Sequence, residues 1–422
     1  MIHSSDEMEH LFRRESGRMV AAITRVVGVH NLALAEDVVQ DVFCRALEVW
    51  SLRGVPENPA AWLTTAAKRR AIDVLRRERT AREFAPELGR ALESEWTLVP
   101  TVEEMFDAGA IRDSLLRMMF SCCDPRLSEE AQVALVLHIL CGFSVGEIAG
   151  AFVSGHAAIE KRITRAKKVL AESGRLFDVG VVEDVVSRLP AVRRALYLLF
   201  NEGYHGASAE FAVRGELCRE AMRLTGELLG NEELATPETL ALAALMHLHA
   251  ARLAGRMDAE GNLHALADQD RGLWDREMLE EGERLLELSA RGEVMSEYHV
   301  EAAIAAVHGS ARTAEETKWG EIVALYDMLM RIRSSPIVAL NRAIAIGQCE
   351  GAERGLAELR AIDAERLKEY PFYFAALGEF EMRRGERESA RRWFERAAGV
   401  ARNDGERKFF EGRSSACETH RH

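Results

Sequence analysis

Lys161, Arg162, Arg165 and Lys168 fall on one predicted helix, spaced so that their cationic heads share a side. A guanidinium fork can pair two acceptors on a base edge, and an ammonium suits a phosphate oxygen, so the grouping points to nucleic acid. Such a helix needs a second element to hold it at the duplex. Just upstream, Val145, Ile148, Ala149 and Phe152 recur at helical spacing and are expected to pack on Ile159 and Ile163 of the basic helix. Residues 144–168 therefore read as a helix-turn-helix whose second helix enters the major groove. Lys161 and Arg165 are the expected base readers, with Lys167 and Lys168 as phosphate contacts.

A second basic run lies far upstream. Between Lys68 and Arg82 there are seven Lys or Arg and two acids, and between Lys161 and Arg175 six and one. Elsewhere the chain is acidic: the net charge is −13 over 422 residues, −3 for residues 1–178 and −10 for the remainder. An acidic body argues against indiscriminate binding to nucleic acid, and for two local patches presented to DNA by a partner. No Gly-rich phosphate loop, nucleophile triad or metal-ligand spacing appears, so neither an enzyme nor a cofactor or metal site is expected. The seven cysteines form no CxxC pair and read as buried small apolar residues; Cys122-Cys123 and His138-x-x-Cys141 come nearest to ligand spacing. His247 and His249 lie two apart on a predicted helix, so their rings diverge. No apolar run reaches membrane-spanning length and the N-terminus is charged, so a cytoplasmic protein with no membrane partner is expected.

Around these residues the chain has helical periodicity almost throughout and no run of alternating strands, which predicts an all-α fold. Its length suggests two to four domains. Residues 6–28 and about 34–50 form the first helices. Gly54-Val-Pro-Glu-Asn-Pro59 breaks the chain, and a third helix runs to about Arg79 with Asn58 as N-cap and Pro59 at its first position. Residues 83–110, with Pro86, Gly89 and Pro100, read as a linker. Helices resume at 111–121 and 128–141, then the helix-turn-helix follows, ended by Ser173-Gly174. A helical array continues from 180 to about 412. Near its end, Phe374-x-x-Leu377-Gly378 and Ala390-x-x-x-Phe394-x-x-Ala397 have tetratricopeptide spacing, and Gly351 and Gly385 lie 34 residues apart, the period of that repeat. Glu381 stands where the pattern wants an aromatic, with Phe380 beside it.

Taken in order, residues 1–178 resemble a group IV (extracytoplasmic-function) sigma factor of the sigma-70 superfamily. The run Ala35-Glu36-Asp37-Val38-Val39-Gln40-Asp41-Val42-Phe43-Cys44-Arg45-Ala46-Leu47 is similar to region 2.2, the family's docking helix for core RNA polymerase. Val38, Val42, Ala46 and Val49 give it a core face, and the resemblance assigns polymerase contacts to Asp37, Gln40, Asp41 and Phe43. The run from Trp62 and Leu63 to Arg77 is similar to region 2.3–2.4, which handles the −10 element. Leu63, Ala66, Ala67, Ile72 and Leu75 would pack inward with Trp62. The loop Arg53–Asn58 looks like the one that captures a flipped base. The −10 contacts so implied are Asn58, Lys68, Arg69, Arg76 and Arg77. The helix-turn-helix corresponds to region 4.2, with −35 contacts at His156, Glu160, Lys161, Arg162, Arg165 and Lys168. Relatives commonly have Asn where this chain has Arg69, and many have Arg where it has Glu160, so neither promoter sequence carries over.

Further on, Tyr197-Leu-Leu-Phe200-Asn201-Glu202-Gly203-Tyr204 and Asp268-Gln269-Asp270-Arg271-Gly272-Leu273-Trp274 look like hallmarks of one sigma subgroup. That subgroup carries a long helical, tetratricopeptide-like C-terminal extension. The implied division is region 2 at 1–82, a linker at 83–110, region 4 at 111–178, the extension at 179–412 with repeats near 337–401, and a tail at 413–422. Asn201, Glu202, Tyr204, Asp268, Asp270 and Arg271 are candidates for regulatory or interdomain roles. Asp275 could cap a helix running to about Ala290, with Trp274 as its staple. The reading that results is an alternative sigma factor whose partners are core RNA polymerase and promoter DNA. Its extension would be a built-in regulator, with room for an unknown ligand or protein. A self-standing ligand-sensing helix-turn-helix regulator and a repeat-type interaction scaffold remain open alternatives.

Overall fold

The computed structural model describes residues 5–27, 31–83, 114–152, 154–172, 182–205, 213–257 and 263–418. The expected linker therefore lies outside the described residues, apart from Glu83, as do Ser173-Gly174 and the last four residues of the tail. The architecture is all-α. Apart from one isolated bridge between Met257 and Leu263, the described residues hold no strand pairing. The chain divides into two compact units, Met1–Leu196 and Tyr197–His422.

In the first unit the helices are α1 (Ser5–Val27), α2 (Leu32–Arg53), α3 (Pro59–Glu83), α4 (Ser114–Cys122), α5 (Glu129–Ile139), α6 (Val145–Phe152) and α7 (His156–Ala171). On α2, Val38, Val39, Val42, Phe43, Ala46 and Trp50 are buried, a stripe wider than the sequence pattern alone suggested. It packs on α1 and α3, where Leu63, Ala67 and Ala71 turn inward. Asn58 Oδ1 accepts from the Ala61 amide at 3.0 Å and so starts α3, with Pro59 placed where no amide is needed. Phe12 stacks on Phe43 with centroids 4.4 Å apart, and Trp50 meets Trp62 edge-on at 5.4 Å. α5 is buried on nearly every side, consistent with its almost unbroken apolar run. α1 packs on α2 and α3 and also on α4 and α5, so one helix joins both halves of this unit.

The boundary between units falls within α8 (Val182–His205). Beyond it come α9 (Gly215–Leu229), α10 (Pro237–Ala250), α11 (Arg276–Ser289), α12 (Glu297–Ser310), α13 (Trp319–Ile332), α14 (Pro336–Glu350), α15 (Ala352–Arg360), α16 (Pro371–Arg383), α17 (Arg387–Gly399) and α18 (Asp404–Ala416). Successive helices pack as hairpins. The two glycines 34 residues apart sit in the turns of two of them, with φ of 103° at Gly351 and 83° at Gly385, a backbone region open to glycine at little cost. Phe380 takes the place the repeat pattern gives an aromatic and lies against Gly347, where an added Cβ would come within 2.1 Å of its ring. Glu381 beside it is buried between Arg360 at 2.8 Å and Arg384 at 2.9 Å.

One sequence expectation needs correction. Cys122, Cys123, Cys141, Cys218 and Cys417 are buried, but Cys44 and Cys349 are exposed. Cys44 lies on the side of α2 opposite the Val38–Val42–Ala46 stripe, so helical phase outweighs the cysteine's preference for burial. His138 Nδ1 is engaged with the Phe143 carbonyl at 2.9 Å. Among the described residues, no group of three or more His, Cys, Asp or Glu is placed to hold a metal ion, and no helix is long and apolar enough to cross a membrane.

Candidate nucleic-acid interface

The helix-turn-helix is built from a cap and a small core. Ser144 and Glu147 form a reciprocal box: Glu147 Oε2 accepts from the Ser144 amide at 2.7 Å, and Ser144 Oγ from the Glu147 amide at 3.2 Å. Ile148 and Ala149 of α6 are buried with Ile159 and Ile163 of α7, while Val145 and Phe152 are half-buried. That packing leaves His156, Glu160, Lys161, Thr164, Arg165 and Lys168 exposed, a stripe at helical spacing along α7. Arg162 is half-buried, its guanidinium 5.9 Å from the Phe152 ring centre. The exposed stripe can present two cations and one carboxylate to a groove and a further ammonium to the backbone.

Lys167 has a different setting. Its ammonium meets Glu36 of α2 at 2.9 Å, with both side chains partly buried. A second tie joins the same halves of this unit: Arg13 of α1 donates to Glu147 Oε1 at 3.0 Å. Between them, Gly17 of α1 runs so close to the end of α5 that a Cβ there would lie 1.7 Å from the Leu140 carbonyl oxygen. A cleft of about 850 Å³ opens along this seam, with Phe12, Gln40 and Phe43 on one wall and His138, Phe143 and Ser144 on the other.

On α2, Asp37, Gln40 and Asp41 are exposed, and Leu47 and Leu52 add exposed apolar surface that the sequence pattern did not single out. Arg70 of α3 donates twice to Asp41 Oδ2, at 2.7 and 3.1 Å. This pair is solvent-facing and contributes at most ~1 kcal/mol, so a partner can compete for either side chain. Phe43 is 8% exposed and stacked on Phe12, so it shapes the cleft from within the core. For the −10 candidates, Asn58 is the exposed cap of α3 and Arg69 is exposed on the same helix. The side chains of Lys68, Arg76 and Arg77 lie outside the described set.

Residues 11–81 match sigma-70 region 2. This stretch is a sigma-70 region 2 domain, which supports membership of the sigma-70 family. Residues 188–290 match a family of unknown function, DUF6596. The chain is similar to an uncharacterized protein of Rhizobium meliloti (strain 1021), 39% identical over 376 residues, which is 89% of this chain and 88% of that protein. It is also 26% identical over 162 residues to the ECF RNA polymerase sigma factor SigK of Mycobacterium sp. (strain KMS), covering 37% of this chain and 78% of the relative. No solved structure matches. The region 2 match thus covers most of the α1–α3 bundle, and Asp37, Gln40 and Asp41 lie exposed within it.

Several of the residues singled out in the second unit have structural partners. Glu202 and Arg214 form a buried ion pair at 2.8 Å, Tyr204 is buried and Asn201 half-buried. Asp270 accepts from the Gly272 amide at 2.8 Å, Asp268 is exposed, and Arg271 donates to the carbonyls of His308 and Ala311. Asp275 accepts from the Met278 amide at 3.0 Å and starts α11, with Trp274 buried before it.

Proposed function

We propose that the protein is an alternative sigma factor that docks on core RNA polymerase through α2 and directs initiation at promoters recognised by α3 and α7. The observation that carries this is the sigma-70 region 2 match over residues 11–81, followed along the chain by a helix-turn-helix with an exposed basic stripe. On this reading Asp37, Gln40 and Asp41, with Leu47 beside them, meet polymerase. Asn58, Lys68, Arg69, Arg76 and Arg77 serve the −10 element, and His156, Glu160, Lys161, Arg162, Arg165 and Lys168 the −35 element. The C-terminal unit acts as the built-in regulator.

The packing of the first unit implies a resting state. Elements centred at −10 and −35 are about 25 base pairs apart, roughly 85 Å along B-form DNA. Here Glu36 and Lys167 are 2.9 Å apart, so the two halves cannot reach both elements while they stay packed. Docking on polymerase must part them, which supports weak promoter binding by the protein alone. Run-off transcription with added core enzyme tests the assignment. Promoter-specific transcripts that require this protein are expected. A promoter shift by the isolated protein, without stimulation of polymerase, would instead favour a self-standing regulator.

A further inference from the structure

Three arginines of the C-terminal unit gather around two aromatic rings. The Arg256 guanidinium lies 4.1 Å from the centre of the Tyr204 ring, and that of Arg252 lies 5.9 Å from the same ring. Arg252 and Arg271 lie 5.8 and 4.9 Å from the Trp274 ring. Arg252 and Trp274 are each only 4% exposed, whereas Arg256 and Arg271 are half-buried and connect the cluster to solvent.

The hydrogen bonds of these arginines go to neutral groups. Arg252 donates to His249 Nδ1 at 2.5 Å, and Arg271 to two backbone carbonyls and to Thr317 Oγ1 at 3.1 Å. Among the described residues, none of the three forms an ion pair; Glu315 and Glu316 act on Arg271 only at longer range. Four buried nitrogens have no partner: Nε of Arg252, Nε of Arg256, Nε1 of Trp274 and Nδ1 of His308. Buried guanidiniums without a counter-charge are unfavourable, and buried donors without acceptors add to that cost. Neighbouring groups register the same field. Burial opposes ionisation of Tyr204, yet Arg252 and Arg256 hold its phenol below the ordinary value. Burial, then Arg252 and Arg271, push the His308 imidazole down to about 3, so it stays neutral.

We propose that this cluster is a binding site for a small multivalent oxyanion, a phosphate- or polycarboxylate-bearing molecule, held by Arg252, Arg256 and the Trp274 indole. Guanidinium forks and an indole N–H are suited to oxyanions, and a multivalent one supplies the missing charge. The arginines and both rings lie within the DUF6596 match, so the site belongs to the segment that distinguishes this chain from shorter sigma factors. It is read from the C-terminal unit alone and stands or falls independently of the transcription assay.

The test titrates full-length protein with inorganic phosphate and, separately, citrate, at an ionic strength held constant with sodium chloride. Saturable heat and a raised melting temperature are expected with at least one of them; phosphate alone marks a phosphoryl ligand, and citrate alone a polycarboxylate. Arg252→Gln should weaken that binding roughly tenfold or more. In chloride it should melt no lower than the parent, because it removes uncompensated buried charge, whereas a purely structural arginine would lower the melting temperature. If Arg252→Gln does melt lower, Trp274→Phe decides: it keeps a ring, deletes one donor and should weaken binding several-fold. Arg291→Gln, an exposed control, should bind as the parent does. No saturable binding of either anion by the parent, or parent-like binding by both cluster variants, overturns the site.

Discussion

Glu147 divides its two carboxylate oxygens between two tasks, one capping α6 through the Ser144 amide and the other holding Arg13 of α1. The Ser144-x-x-Glu147 spacing made the cap legible; nothing local could show that an arginine 134 residues earlier would share it. The same limit applies to Lys167, whose place among the α7 cations suggested a phosphate contact and whose ammonium is held by Glu36. Lys161 and Arg165 remain exposed, so Lys161→Ala and Arg165→Ala should each reduce −35-dependent transcription roughly tenfold while polymerase binding persists. Comparing promoter transcripts with co-purified polymerase separates the two effects. His308 gives a pH prediction. Its imidazole titrates near 6.5 when unfolded and at about 3 when folded, so between those values the unfolded chain binds more protons. Stability should therefore fall as pH drops below about 6.5, by up to ~1.4 kcal/mol per unit. Urea midpoints at pH 7 and 5.5 should show that loss, and His308→Gln should show less of it.

At the scale of elements, periodicity located most helices because burial follows helical phase. It placed the helices expected at about 34–50 and from Asn58 to about Arg79, and both helices of the helix-turn-helix, with α2 and α3 extending past the expected ends. It could not predict which residues of α2 face the seam, because Val39 and Phe43 broaden the apolar stripe beyond the pattern used to find it. This bears on the docking test. Phe43→Ala would cost about 3–5 kcal/mol of core packing and confuse binding with folding. Asp37→Ala with Asp41→Ala leaves the core untouched, at most sacrificing the weak Arg70 pair. Polymerase affinity should fall about tenfold or more in that double variant with its melting temperature changed by no more than a few degrees. Unchanged co-purification would remove α2 as the docking face. In the C-terminal unit, removing one partner of the buried Glu202–Arg214 pair by Glu202→Gln should cost about 3–5 kcal/mol, measurable by thermal melting.

For the whole molecule, the all-α class follows from helical phase, whereas the division into two units at Leu196 and the seam inside the first unit do not. That seam joins residues far apart in sequence through contacts of ordinary types, which leave no local signature. If the sigma reading holds, spin labels on Arg45→Cys and Lys168→Cys, in a background with the exposed Cys44 and Cys349 replaced by serine, should report a short distance in the free protein. On adding core polymerase and promoter DNA the distance should lengthen to several tens of ångströms. A distance that stays short in active complexes would rule out the parting of the two halves. Gly17 offers the mechanical counterpart. Because its Cα passes the Leu140 carbonyl with no space for a side chain, the lone hydrogen at this position acts as the latch clearance of the seam. The smallest possible wedge, one methyl group from Gly17→Ala, should pry the first unit ajar without altering any charge; on the sigma reading, a gel shift should then show the isolated chain holding promoter DNA more tightly than the parent does.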